Sequence, residues 1–582
     1  MRLKVTKSKN AASLYVIKSV YNSKTQSNSS KIVEKLGTEI ELREKLNGAD
    51  PYQWAKEYIK TLNEKEKEQT REILVPFKPS KLIDKGETRS FNGGYLFLQK
   101  IYHELKLDKI CKDISQKYKF DFNLNAILSR LIYGRVIFPS SKLATYTLSK
   151  KFIEQPNFDL HQIYRALEVL AKETDFIQSS LYENSLKISK RNTGVLFYDC
   201  TNYFFEIEQG DGKKQYGPSK EHRPNPIIQM GLFMDGDGIP LAFSINRGNM
   251  NEQLTLKPLE KKIISDFELS KFIVCTDAGL ASEANRKFND KDGRAFITTQ
   301  SIKKLKAHLK KWALDAQGWK LSGSNKTYDI SKLDELMDKA TPEEKARIIS
   351  KVFYKERWIK ENDFEQRLIV TYSIKYRDYQ RKIRNSQIER AQKIIENTPT
   401  KIKKCNANDY KRFIHKTSYT PDGEIAEKER YRIDQAIIQK EETFDGFYGV
   451  CTNLEDAVSE IIKVNHRRWE IEECFRIMKS EFKARPVYLS NDDRIEAHFT
   501  TCFISLIIYR LLEKRLNEEF TCCEIISGLR DMDFFEIKGE GYVPTYTRTN
   551  FTDALHEALG FRTDYQIVST QNMKKIFKDT KK

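Results

Sequence analysis

Long apolar runs are what this chain of 582 residues most plainly lacks. The longest, about Phe499 to Leu512, is interrupted by Thr, Ser, Tyr and Arg, and reads as too short and too polar to cross a bilayer. Met1–Asn10 holds no apolar stretch of the kind a signal peptide needs. Both absences predict a cytoplasmic protein, in reach of the chromosome, with no membrane partner. Cysteine is sparse: the nine are scattered, none at C-x-x-C spacing, and most, such as Cys200, Cys275, Cys451 and Cys474, lie inside apolar runs. That is the usage of buried thiols in a reducing compartment. The eight His are equally dispersed, which argues against a zinc site. Internal repeats are absent, and only the Lys-rich tail from Lys574 is compositionally biased.

What is present is positive charge. Lys and Arg number 101 against 82 Asp and Glu, a net +19 that suggests a polyanionic partner. Residues 301–440 hold 33 basic and 20 acidic residues, a surplus of 13 that is most of the chain's excess. With hydrophobic residues at 39% and aromatics at 11%, the chain can build cores, and its length predicts several domains.

The pattern predicts two strands, Ser13–Tyr21 and Ser30–Leu36, around a polar turn at Asn22–Ser29, then a polar helix over about Pro51 to Arg71. Residues 91–190 read as helical, with one amphipathic segment from Leu96 to Leu107 and another from Leu124 to Ile132 that ends at Pro139. No helix-turn-helix pattern stands out there. From Gly194 the character changes. Val195–Phe205 is a strand by its β-branched and aromatic content. Ile227–Met234 and Ile239–Ile245 follow as strands joined by Asp235-Gly236-Asp237-Gly238, then a helix over Glu252–Ser265, then strands Lys271–Asp277 and Ala295–Thr299. Three sequential strands followed by alternating helix and strand fit a ribonuclease-H-like α/β core. Strand-like Arg367–Ile374 and Arg430–Ile438 alternate with a helical Tyr379–Ile395. The core resumes at Phe444–Asn453, a long helix spans Leu454–Phe482, and an apolar helix covers Ile495–Leu512. The segment after Phe520 carries Phe534, Phe535, Tyr542, Tyr546, Phe551, Leu555, Leu559 and Phe561. It either folds back on the core or offers a dimer surface.

Two carboxylates stand out in the strands. Asp199 lies within an apolar strand, where an unpaired charge costs several kcal/mol in round terms. A metal, an Arg, or backbone N–H groups at the strand end would each compensate it. Asp277 ends its strand, where α/β folds place ligands, though an Asp there also caps a following helix. On the long helix, at about 100° per residue, Glu472 lies about 40° and Lys479 about 20° from Arg468, beside the apolar stripe of Ile471, Phe475 and Met478. The alternative is a solvated face with i,i+4 pairing. On the same count Glu470 points away from this border. Lys213, Lys214, Lys220, His222 and Arg223 make a basic loop, and Trp312, Trp319 and Trp358 are either core residues or platforms for an unpaired base.

Arg468-Trp469, Ile471-Glu472 and Lys479 have the spacing of the pattern Y-x2-R-x3-E-x6-K. With Tyr198-Asp199-Cys200-Thr201-Asn202, Tyr216-Gly217, Ser219–Pro224 and Asp277–Ser282, the chain from about residue 190 to 570 resembles the DDE insertion-sequence transposases of the insertion-sequence-four type. The resemblance implies a ribonuclease-H-like core interrupted by a basic mixed α/β insertion, with a helical N-terminal DNA-binding region and a helical C-terminal region. The expected division is 1–80 (strand pair and helix), 81–190 (helical, DNA-binding), 191–300 (first part of the core), 301–440 (insertion), 441–515 (second part, with the Glu helix) and 516–582 (dimerisation).

The resemblance further implies that Asp199, Asp277 and Glu472 are catalytic and hold two Mg²⁺ or Mn²⁺ ions, with Asp199 bridging them. Arg468, Lys479, Lys220, His222, Arg223, Asn465 and Trp469 would meet DNA. The partners implied are double-stranded element ends and target DNA, bound by a homodimer on paired ends. Asn465 stands where relatives carry Tyr. An inactive, domesticated DNA-binding descendant and a ribonuclease-H-like nuclease are the competing readings.

Overall fold

A computed structural model of the chain describes residues 1–7, 11–22, 27–46, 48–69, 72–75, 77–397, 409–419 and 428–582. It divides into two compact units, Met1–Glu87 and Thr88–Lys582. The first is a three-stranded antiparallel sheet, Arg2–Lys7, Ala12–Asn22 and Ser27–Thr38, followed by helices Glu39–Lys45 and Pro51–Gln69. Leu14, Leu42 and Ala55 form its small core. Thr38 starts the first helix through a capping box with Glu41. The strand Arg2–Lys7 is an addition to the expected pair, and residues 23–26 of the expected turn lie outside the described residues.

The second unit opens with six helices between Tyr95 and Ser185, among them α1 (Leu124–Ile137) and α2 (Leu160–Lys172). The amphipathic segment expected from Leu96 to Leu107 is two helices, because Lys106 takes a left-handed conformation (φ 55°) and turns the chain.

A ten-stranded sheet follows: β1 (Val195–Phe204), β2 (Ile227–Asp235), β3 (Pro240–Arg247), β4 (Ile273–Thr276), β5 (Ala295–Gln300), β6 (Trp319–Leu321), β7 (Thr327–Tyr328), β8 (Phe353–Glu361), β9 (Phe364–Tyr372) and β10 (Phe447–Thr452). Its spatial order is β7-β6-β8-β9-β10-β5-β4-β1-β2-β3. Strands β3, β2 and β1 are antiparallel, whereas β1, β4 and β5 run parallel. That five-strand order, 3-2-1-4-5 with the first three antiparallel, is consistent with a ribonuclease-H-like core in a DDE transposase. Strands from 301–440 continue the same sheet, since β9 pairs with β10 and β10 with β5. Only the helix Ile374–Asn397, the hairpin Ile414–Tyr419 with Lys428–Ile433, and the helix Gln435–Glu442 form a separate small cluster, around Ala391, Phe413, Ile414 and Ile438. The strand expected at Arg430–Ile438 therefore ends at Ile433.

The sheet is covered on both faces. Leu196, Tyr198 and Cys200 pack with Leu256, Leu259 and Ile263 of the helix Leu256–Asp266. Phe197 and Tyr203, of opposite parity, face the core shared with the last helices. The single helix expected over Leu454–Phe482 is three pieces: α3 (Val458–His466), α4 (Trp469–Arg476) and a π-helical turn, Ile477–Glu481. The helix α5 (Asp492–Arg515) is longer than its apolar run suggested. By length and composition it could cross a membrane, but 94% of its apolar window is buried inside the protein, with α1 and α2 packed on it.

The region after Phe520 folds back. Phe534, Phe551, Leu555 and Leu559 are buried in the same core, and Asp533–Ile537 pairs with Ser90–Asn92. These buried residues thus help to complete the unit. Gly94 lets this docking occur, because a Cβ there would overlap the Leu529 carbonyl. Phe534→Ala should therefore cost about 3–5 kcal/mol in urea unfolding of the full chain, the loss expected for a fully enclosed Phe. A cost below about 1 kcal/mol would show that the segment is not core.

Candidate active site

The register of the parallel pair β1–β4 builds the site. Phe197 lies opposite Cys275. Two residues further along each chain come Asp199 and Asp277, so both carboxylates leave the sheet side by side on the face toward α3 and α4. Asp277 follows the last residue of β4, and its Oδ1 accepts from Leu280 N (3.0 Å), which shapes the following turn. It does not cap the next helix; Ser282 does. Asp199 Oδ1 accepts from Cys200 N at 2.8 Å.

Across from them, Arg468 Nη1 lies 3.2 Å from Glu472 Oε1. Burial and the neighbouring Asp277 push the Asp199 carboxyl up to about 6, against the opposing pull of Lys220 and Arg468. Burial works against the Arg468 charge, yet Glu472, Asp199, Tyr448 and Asp277 together hold its pKa above the ordinary value. Lys479 reaches back from the π-helical turn and donates to Thr201 Oγ1 of β1 (2.6 Å). Burial, with Lys220 nearby, lowers Lys479 to about 8. Lys220 donates to the Cys200 carbonyl and lies 3.5 Å from Glu252. Burial opposes its charge, but Asp199 and Glu252 raise its pKa overall.

Asp199, Asp277, Glu472, Arg468, Lys479 and Lys220 are thus brought together. Trp469 stands beside them with its side chain exposed, and Arg223 packs over Phe204 on the exposed loop that also carries His222. Other expectations do not hold. Asn465 is buried and donates to the Tyr448 hydroxyl (2.9 Å), so it offers DNA nothing in this conformation. Lys213 and Lys214 turn to the start of α5, where they meet Glu496 and the Ser490 carbonyl. Trp319 is fully enclosed and cannot stack on a base; Trp358 is half-exposed. Glu470, expected to point away from this border, is buried between Arg467 (2.9 Å) and Arg510 (3.7 Å).

Sequence reasoning missed Tyr448, which joins Thr299 (2.8 Å) to Asn465 beside Arg468. It also missed Glu221, which contacts Arg485 and lies 3.7 Å from Lys479. The block Ser219–Pro224 had flagged the second position; nothing flagged an aromatic inside a strand.

A family model described as "Transposase DDE domain" matches residues 203–508, just over half of the chain. The chain belongs to that family of DDE transposases. The match takes in Asp277 and Glu472 and begins four residues after Asp199, so Asp199 rests on the register just described. No protein with a curated description matches the chain. Among solved structures, one similar to this transposase chain is a cryo-EM structure of the piggyBac transposase synaptic complex with hairpin DNA, at 8% identity over 84% of each chain, with a TM-score of 0.33.

The donor set fits a hard divalent cation, since it is all carboxylate oxygen and Asp199 is a half-buried charge left under-compensated. As the side chains stand, no three acidic, His or Cys residues among the described ones form a metal cluster, because Glu472 is turned to Arg468. In metal-free protein the folded chain holds the Asp199 proton up to about pH 6, whereas the unfolded chain loses it near the ordinary 3.8. Stability therefore falls as pH rises through that window and is flat above it. Asp199→Asn should raise the unfolding free energy at neutral pH in chelator by about 1–3 kcal/mol, and with it the midpoint, with the gain vanishing below about pH 4. A lower midpoint at neutral pH would refute the burial penalty.

Proposed function

We propose that this DDE transposase binds the terminal inverted repeats of an insertion sequence, cleaves the DNA and joins the freed 3′-OH ends to target DNA. The observation that carries this reading is the side-by-side placement of Asp199 and Asp277, with Glu472 and a guanidinium facing them. Cleavage and joining are in-line displacements at phosphorus, and two Mg²⁺ or Mn²⁺ ions, when bound, supply activation of the attacking oxygen and stabilisation of the leaving one. Asp199, Asp277 and Glu472 would hold them. Arg468 and Lys479 flank the carboxylates and orient the scissile phosphate. Trp469, exposed beside them, stacks against the DNA end, and Lys220, Arg223 and His222 guide the strand along β1. The finer assignment, to the insertion-sequence-four type with its R-E-K helix, rests on the residue spacing. Residues 301–440 are read as that type's insertion, anchored here through β6–β9. A homodimer on paired ends is retained because cutting one end alone would leave a broken chromosome.

Alanine at Asp199, Asp277 or Glu472 should abolish metal-dependent cleavage of a labelled element end while leaving DNA binding largely intact. Full cleavage by any one of the three would refute its assignment. Glu473→Ala is the matched control, because Glu473 pairs only with Arg476 among the described ion pairs on its helix. Glu470→Ala is no such control, since Glu470 is buried beside Arg467 and Arg510 and its loss acts on the fold as well as on charge.

DNA affinity should fall with salt at a slope of about −0.9 per neutralised phosphate. Charge-reversal of exposed Lys and Arg on Ile374–Asn397 should flatten that slope. An unchanged slope would move the DNA surface elsewhere. Deletion of 301–440 cannot serve here, because it removes strands of the central sheet. Light scattering with and without end DNA tests the pairing, and a cleaving complex of one chain on one end would refute it.

A further inference from the structure

Arg468 does more than flank the site. Its side chain is 21% exposed and pairs through the guanidinium with Glu472, whose side chain is 57% exposed and so free to turn. Among the described ion pairs, Arg468 is the one cation joined directly to a candidate metal carboxylate. Lys220 is engaged by Glu252 and the Cys200 carbonyl, and Lys479 by Thr201 and Glu221. The same guanidinium lies within the field of Asp199 and Asp277, as does Lys220. Arg468 is thus the +1 group that occupies Glu472, where a divalent cation would balance three carboxylates. Glu472 cannot serve both well, because a cation at its oxygens would repel a guanidinium 3.2 Å away.

We propose that Arg468 is the exchangeable counter-ion of this site: in metal-free protein it holds Glu472, and when Glu472 turns to a divalent cation the freed guanidinium turns to a DNA phosphate. The proposal rests on the carboxylate assignment above. By linkage, the guanidinium couples the two ligands: it raises DNA affinity when metal is bound and metal affinity when DNA is bound, by the same factor. A purely organising role makes the opposite prediction, since an Arg that pre-positions Glu472 for metal would strengthen metal binding.

The test is Arg468→Gln in the full chain. Mn²⁺ binding is read by calorimetry without DNA, and a mixed-sequence duplex by anisotropy with and without Ca²⁺. The variant should bind Mn²⁺ tighter by up to about fivefold, the scale of a partly exposed ion pair released. The gain in DNA affinity that Ca²⁺ gives the wild type should shrink in the variant. Arg468→Lys, which keeps the charge but loses the planar fork, should fall between. Equal or weaker Mn²⁺ binding by Arg468→Gln, with an unchanged thermal midpoint, would overturn the exchange. The carboxylate assignment fails separately, and the exchange with it, if the wild type binds no Mn²⁺ or if Asp199→Asn binds it as well as the wild type.

Discussion

Everything at the site depends on the parallel pairing of β1 with β4. Side chains alternate across a sheet, so a slip of one residue would send Asp199 and Asp277 to opposite faces. The register is pinned from both sides of the sheet. Leu196, Tyr198 and Val274 are buried under the helix Leu256–Asp266, while Phe197 and Cys275 are buried against the core that includes α4 and α5. The carboxylates are therefore held by apolar packing, and their mutual repulsion is tolerated because the surrounding burial is large. Strands β2 and β3 on one side and β5 on the other keep this pair in the interior of the sheet.

The strands were legible because their signals are local. A run of β-branched and aromatic residues ending on a turn reads as a strand from composition alone, and all five core strands do so within a few residues. The carboxylates were legible for a related reason: a charge inside an apolar strand stands out. The helix carrying Glu472 was harder. Its apolar stripe is continuous in sequence, but the helix breaks at Arg467–Arg468 and takes a π-helical turn after Arg476, and neither break shows in the stripe. Counting 100° per residue set Glu470 away from the site, but it could not show that the residue is buried beside Arg510.

The basic segment shows the same limit at a larger scale. Charge made residues 301–440 look like a separate body, yet β9 is fixed to β10, a partner distant in sequence, and carries β8 with it as a hairpin. Partnership across the sheet leaves no trace in local composition. The region after Phe520 was undecided for the opposite reason: its apolar residues are compatible with any partner, and only the fold-back onto Ser90–Asn92 and the core selects one.

The hydrogen bond from Asn465 to Tyr448 spans two positions usually read apart, one on a helix and one on a strand. Enclosed beside Cys275, the amide sits where a larger ring would collide with the sheet. A change at 465 therefore acts on Tyr448 and the strand that carries it as well as on its own helix.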